Sequence, residues 1–380
     1  MEDTYLSERQ VREIAGMVVP VWFSRKTASC LAEELLTLTL DNFEEYVRRE
    51  NVCLVVDGDE RSLTIAQRVQ KALAKGGGGF EVLYLKENKG KHYAVTEGIL
   101  HLMASERRGR GGVGELAAAT SSRGPADLIR SRRSPPAEGI RYFVVRDCDA
   151  DHFICDLPNL VRSAHNISVQ EKTDRVLVIG RRIDRHRPLG FRRGQMEELC
   201  NRIFLDAMNY RLAKRGQVLK TQYYCPYGDV PDFKSGYKVY SRAVARIAFT
   251  RKPRFLCLAP KHYWRHSAEP IPIVEAVLAG AVIGEMNRTT FDVQPTTTFT
   301  ESSAVDMHVK TLAWAFCRLS VPAKCAEQMF NNHIPRLLLG SDASGREQLE
   351  AIKRETLTFY GKYLGEDYSH RADIGRPRFF

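Results

Sequence analysis

Three carboxylates, Asp147, Asp149 and Asp151, stand on alternate residues directly after the apolar run RYFVVR of residues 141–146. Carboxylates crowded at one strand end repel one another unless a cation neutralises them, and hard oxygen donors suit Mg²⁺ or Mn²⁺. The spacing predicts a divalent-metal site on a turn. A second constellation, KENKGKHYAVTEG from Lys86 to Gly98, sets Asn88, Gly90 and Lys91 ahead of an expected helix. Glycine lets the backbone approach an anion, and a lysine at a helix start adds positive charge for a phosphate. Each has a plain structural alternative, a solvated acidic turn and an ordinary helix N-terminus.

The elements around these residues alternate. Strands are expected at Gly16 to Phe23, Asn51 to Asp57, Phe80 to Leu85, Arg141 to Arg146, Arg175 to Ile179 and Tyr237 to Tyr240. Helices are expected at Ala28 to Arg49, Leu63 to Lys75, His92 to Ser105 and Met196 to Arg215, then at Val305 to Leu319 and Ser344 to Tyr363. Strand-then-helix units predict an α/β fold with a doubly wound, mostly parallel sheet. Ligands of such sheets bind at the carboxyl ends of the strands, where Asp57 and the acidic triplet fall.

Composition excludes several classes. With 43% hydrophobic and 27% charged residues in 380, the chain matches a globular protein and neither a disordered segment nor a rod. Nine scattered cysteines without a CxxC pair argue against a zinc knuckle or disulfide framework. The net charge of +11 suggests a polyanionic partner, but the densest basic stretch, residues 104–139, has seven arginines and four acids among Gly, Ser, Pro and Ala. That is the composition of a mobile loop, so no nucleic-acid partner is expected. The start MEDTYLSERQ has no signal-peptide pattern and no apolar run reaches a spanning length, giving the expectation of a cytoplasmic protein.

In order, the chain shows the VPVWF strand with Pro20, an acid ending the second strand at Asp57, the N-x-G-K of Asn88 to Lys91 and the DxD of Asp147 to Asp149. A strand ending in G-x-R at Gly180 to Arg182 follows, then the segment Asp232 to Arg242 (DFKSGYKVYSR). Together they resemble a GT-A glycosyltransferase of the family-two type, closest to the polyprenyl-phosphate sugar transferases such as dolichyl-phosphate mannose synthase. The resemblance covers about residues 15–290. It implies a GT-A fold with a Rossmann-like nucleotide half over about 15–180, an acceptor half over about 180–290, and a loop and helical C-terminal extension over 291–380.

The resemblance also implies roles. Pro20 and Asp57 would border the base of a UDP- or GDP-sugar; Asn88, Gly90, Lys91, Asp147 and Arg182 would face its ribose and diphosphate. Asp147, Asp149 and Asp151 would hold Mn²⁺ or Mg²⁺. Ser235, Gly236, Tyr237, Lys238 and Arg242 would shape the acceptor side, with Arg182, Lys238 and Arg242 facing a phosphate. For an inverting transfer the base is expected at Glu269, eleven residues before Gly280, with Asp232 as its competitor. His262 and His266 are candidates for approaching the metal or diphosphate. The departures are Ala268, where the family has a second acid, and the lack of a membrane helix, which leaves a soluble acceptor, a peripheral membrane contact and a homodimer all open. A retaining GT-A transferase and a non-catalytic basic protein on a GT-A fold stand as the alternatives.

Overall fold

The computed structural model describes residues 5–74, 79–117, 139–226, 230–290 and 301–366. The chain opens with helix α1 (Glu8–Ile14), then β1 (Ala15–Val21), α2 (Ser29–Thr39), β2 (Val52–Asp57), α3 (Glu60–Leu73), β3 (Glu81–Leu85), α4 (Lys91–Ala117) and β4 (Tyr142–Val145). Next come α5 (Leu157–Gln170), β5 (Val176–Arg182), α6 (His186–Leu189), α7 (Phe191–Ala213), β6 (Lys238–Ser241), α8 (Arg242–Ala248), α9 (Pro260–His266), α10 (Pro270–Leu278) and β7 (Val282–Arg288). Helices α11 (Glu301–Leu319), α12 (Ala323–Leu339) and α13 (Ala343–Leu364) complete it.

Seven strands form one sheet in the order β3-β2-β1-β4-β6-β5-β7. The pairings β1/β2, β2/β3, β1/β4 and β5/β7 are parallel, and β6 runs antiparallel to both β4 and β5. The expected mostly parallel α/β sheet is present, and antiparallel β6 makes it mixed. Alternation along the strands builds two cores. Val18, Val55, Phe143 and Ile179 face α4, α7 and α10, whereas Val19, Leu54, Val144 and Val178 face α2, α3 and α5. Strands covered on both sides are apolar on both faces, which is why β1, β2 and β4 read as continuous apolar runs.

Three expectations are corrected. The helix expected over residues 28–49 ends at Thr39, and Asn42 takes a left-handed conformation at φ 52°. The helix expected to stop at Ser105 continues to Ala117, so the first part of the basic stretch is helical; residues 118–138 lie outside the described residues. Strand β7 and helices α5 and α12 were not expected. The C-terminal extension packs onto the sheet: Leu312, Trp314, Phe316, Phe330, Leu349 and Ile352 belong to the same core as Val18 and Phe143. The expected terminal tail SHRADIGRPRFF and most of the loop at 287–303 also fall outside the described residues. No helix among the described residues is long and apolar enough to cross a membrane.

Candidate active site

A cavity of about 510 Å³ opens at the carboxyl ends of β1, β2, β4 and β5. Pro20, Asp57, Asn88, Gly90, Lys91, Asp147, Asp149, Asp151, Arg182, Gly236 and Glu269 all line it. Its size falls in the roughly 300–1,000 Å³ typical of small-molecule sites. A larger, shallower depression of about 740 Å³ lies outside α2 and α3, and none of the acidic turn reaches it.

Asp57 ends β2, and both its oxygens are engaged by the following loop. Oδ1 accepts the Lys89 N–H at 2.9 Å and Oδ2 the Gly90 N–H at 2.7 Å; Asn88 Nδ2 donates to the Asp57 carbonyl at 3.0 Å. Burial raises its pKa, and these two amides oppose the rise. Asp57 thus organises the loop that delivers Lys91. Gly90 has a packing reason for being glycine. Its φ is +114°, and a Cβ there would lie 2.3 Å from Arg265 Cα, so the glycine admits the end of α9. Asn88 Oδ1 accepts from Arg265 Nη2 at 3.2 Å, tying the same loop to α9.

At the start of α4, Lys91 Nζ lies 2.6 Å from Asp147 Oδ1 and 2.6 Å from Glu269 Oε1. Burial disfavours the ammonium, but the two carboxylates outweigh it and raise the lysine pKa. Glu269 is affected in the opposite sense: burial disfavours its charge, yet Lys91 and Lys238 hold its pKa down at about 2. Just behind Lys91, His92 Nδ1 shares a 2.7 Å hydrogen bond with Ser267 Oγ and stacks on Tyr263, fixing the link between α9 and α10 that carries Glu269.

The acidic turn is tight. Ala150 adopts φ +61°, and its N–H donates to Thr39 Oγ1 at 3.1 Å. The conformation is uncommon for a residue with a Cβ and costs on the order of 1–3 kcal/mol. Burial, Asp147 and Asp151 together raise Asp149 to about 6, the signature of acids close enough to repel. Beneath the turn, Arg146 donates to the carbonyls of Thr39 and His152. His152 Nδ1 accepts the Asp147 N–H at 3.1 Å, and its ring stacks on Tyr237 with centroids 4.9 Å apart. Arg288, at the end of β7, reaches Asp151 with Nη2 3.0 Å from Oδ2, while Asp151 Oδ1 is buried without a hydrogen-bond partner. No three His, Cys, Asp or Glu side chains converge to hold a metal by themselves among the described residues. Asp147 and Asp149, with the orphaned Asp151 oxygen, nevertheless offer the hard-oxygen donors that a divalent cation prefers, and a bound ligand's oxygens would have to complete its shell.

Several expected residues hold the site and do not face it. Asp232 is fully buried and bidentate to Arg182, with Nε to Oδ2 at 2.8 Å and Nη2 to Oδ1 at 2.7 Å. Burial opposes its charge, but Arg182 wins and lowers its pKa, which removes it as a base. Arg182 is further held by Glu197 Oε2 at 2.7 Å, so its guanidinium is neutralised within the wall. Ser235 Oγ donates to the Gly180 carbonyl at 2.6 Å, Tyr237 is covered by His152, and Lys238 donates to the Ser235 carbonyl. Arg242 is remote. Because β6 is antiparallel, Lys238 pairs with Val145 beside the site and Ser241 with Tyr142 at the opposite sheet end, where Arg242 Nη1 donates to the Ile140 carbonyl. Gly236 does lie at the site: a Cβ there would come 2.3 Å from Asp147 Oδ2. Of the two histidines, His266 lines the cavity and His262 is taken by Lys310 at 3.2 Å.

Arg146, His152, Arg288, Lys234, Arg193 and Met307 are site or near-site residues that pattern reading missed. Arg146 and His152 flank the acidic turn directly, as RDCDADH, and adjacency was their only signal. Lys234 sits between the expected Asp232 and Ser235 and had the same signal, whereas Arg193, Arg288 and Met307 arrive from elements distant in sequence. No protein-family model and no curated protein gives a significant match to the chain.

Proposed function

We propose that the chain is a metal-dependent glycosyltransferase of the GT-A type, moving a sugar from a nucleoside-diphosphate sugar, a UDP- or GDP-sugar, to an acceptor. The observation that carries this reading is the gathering of Pro20, Asp57, Lys91 and the acidic turn in one cavity at the carboxyl ends of the strands. The sheet order, with its single antiparallel β6, is compatible with it.

In this reading the base end of the donor lies between Pro20 and the Asp57 loop, and the diphosphate runs toward Lys91. Asp149 and Asp147 would hold Mn²⁺ or Mg²⁺, which supplies charge neutralisation for the departing diphosphate. Lys91 divides its ammonium between Asp147 and Glu269. A diphosphate that draws the lysine away raises the proton affinity of Glu269, as a base toward an acceptor hydroxyl requires. Thermal denaturation with UDP-, GDP- and dTDP-sugars plus Mn²⁺ tests the donor class, because a ligand bound only to the native state raises Tm. No shift with any donor sinks the proposal.

The second reading is transfer with retention of anomeric configuration. While Lys91 stays 2.6 Å from its carboxylate, Glu269 is a weak base, and inversion requires the donor to draw the lysine away. NMR of the product's anomeric proton decides between the two, and a retained configuration removes Glu269 from the base role.

A further inference from the structure

The cavity has two ends, set by strand order. Asp57 closes β2, and Lys234 precedes β6; β1 and β4 lie between them, so at about 4.8 Å per strand the ends are roughly 14 Å apart. At the β6 end almost every charge is matched. Arg182 is clasped by Asp232 and Glu197, and Arg193 Nε lies 3.2 Å from Glu197 Oε1. Lys234 differs. It is 8% exposed and lines the cavity, and no hydrogen bond or ion pair joins it to another described residue. Glu269 feels its charge, but the Glu269 carboxylate is already bound by Lys91 at 2.6 Å.

Helix α11 closes this end. Met307 lines the cavity, and the neighbouring His308 is 1% exposed with neither ring nitrogen hydrogen-bonded. Burial, then Lys234 and Arg193, hold the imidazole neutral, well below its usual range. Buried imidazole nitrogens without partners are costly. The Lys234 ammonium faces the cavity with no hydrogen bond to another described residue, so an anionic oxygen of a ligand entering this end meets a cation that none of their carboxylates clasps.

We infer that Lys234 anchors an anion subsite, walled by Met307 of α11, that takes one phosphate or carboxylate group of the acceptor. The anion site itself stands on Lys234; its assignment to the acceptor rests on the transferase reading. The C-terminal helices, outside the region of family resemblance, thereby contribute to substrate choice.

Inorganic phosphate, and malonate as a carboxylate probe, are titrated calorimetrically into the full chain, with and without saturating UDP or GDP and Mn²⁺. At least one probe is expected to bind, Lys234→Met to weaken it at least tenfold, and Lys86→Met, on the outer depression, to leave it unchanged. Nucleoside diphosphate is expected not to compete. Lys234→Met is also expected to leave Tm close to wild type in the absence of anions, because no hydrogen bond or ion pair among the described residues is lost. Neither probe binding, unaltered binding by Lys234→Met, or a lowered Tm that marks the lysine as a structural cation would overturn the subsite. Displacement of the probe by UDP or GDP overturns its assignment to the acceptor and gives the lysine to the donor. Loss of probe binding in Lys234→Met from a protein that binds no nucleotide keeps the subsite and removes the transferase reading.

Discussion

At the scale of single residues the site is a chain of alternating charge, Asp147 to Lys91 to Glu269, with the second acid pair Asp149 and Asp151 one turn away. Asp149→Ala removes a proposed metal donor without opening a cavity in the core. Transfer and Mn²⁺-dependent donor hydrolysis are expected to be abolished with Tm nearly unchanged; activity within a few-fold of wild type would count against the metal assignment. Lys91→Met tests the pair chemistry through stability. Glu269 is held at about 2 against an ordinary 4.5, so it contributes stability above pH 4.5 that is lost as the pH falls toward 2. That shift corresponds to on the order of 3 kcal/mol. Without Lys91, only Lys238 and Lys234 are left to oppose burial, so the carboxyl pKa moves up and the contribution above pH 4.5 shrinks. The stability gap between wild type and Lys91→Met is therefore expected to be widest near pH 7 and to shrink toward pH 4. A gap of equal size at both pH values, measured by urea unfolding, would show that the ion pair is not its source.

At the scale of elements, two glycines position the same site by different means. Gly90→Ala meets a positive φ and the Arg265 backbone at 2.3 Å, so the α9 end must move. A loss of about 2 kcal/mol or more is expected, with weakened donor binding as the Asp57 loop shifts. Gly236→Ala meets chiefly the Asp147 carboxylate at 2.3 Å, a side-chain end that can turn away, and grazes the His152 ring at 3.2 Å. Its Tm is expected to stay close to wild type while Mn²⁺-dependent donor binding is lost; the reverse pattern in calorimetry would refute the distinction. What the sequence made legible follows the same physics. Strands β1, β2 and β4, buried on both faces, are apolar runs that end on visible acids. Strand β7 (VIGEMNR) is not such a run, because its second half carries Glu285 against the Asp232 amide and Arg288 against Asp151. Helix α12, with Pro335 inside it, hides for a similar reason. Pairing direction is invisible in a four-residue strand, and for that reason Arg242 was assigned to the site when antiparallel β6 carries it to the far edge.

At the scale of the whole molecule, the C-terminal helices share one core with the sheet that carries the candidate site. Trp314 is fully buried, donates through Nε1 to the Arg254 carbonyl at 2.8 Å and meets Tyr263 of α9 edge-on, with ring centroids 6.2 Å apart. Tyr263 in turn stacks on His92 behind Lys91. The C-terminal helices thus support the loop that holds the lysine. Trp314→Ala is expected to cost about 3–5 kcal/mol, as large-to-small core changes do. Ending the chain at residue 290 removes α11 to α13, all of which pack on α7, and uncovers the apolar core they share with it. Such a surface cannot be left to water without loss of cooperative packing. The truncated chain is expected to lose near-ultraviolet circular dichroism and to bind a hydrophobic dye, while retaining much of its helical signal. Cooperative unfolding of the truncated chain, with donor binding intact, would instead establish the sheet and its flanking helices as a unit that folds alone and reduce the extension to an accessory.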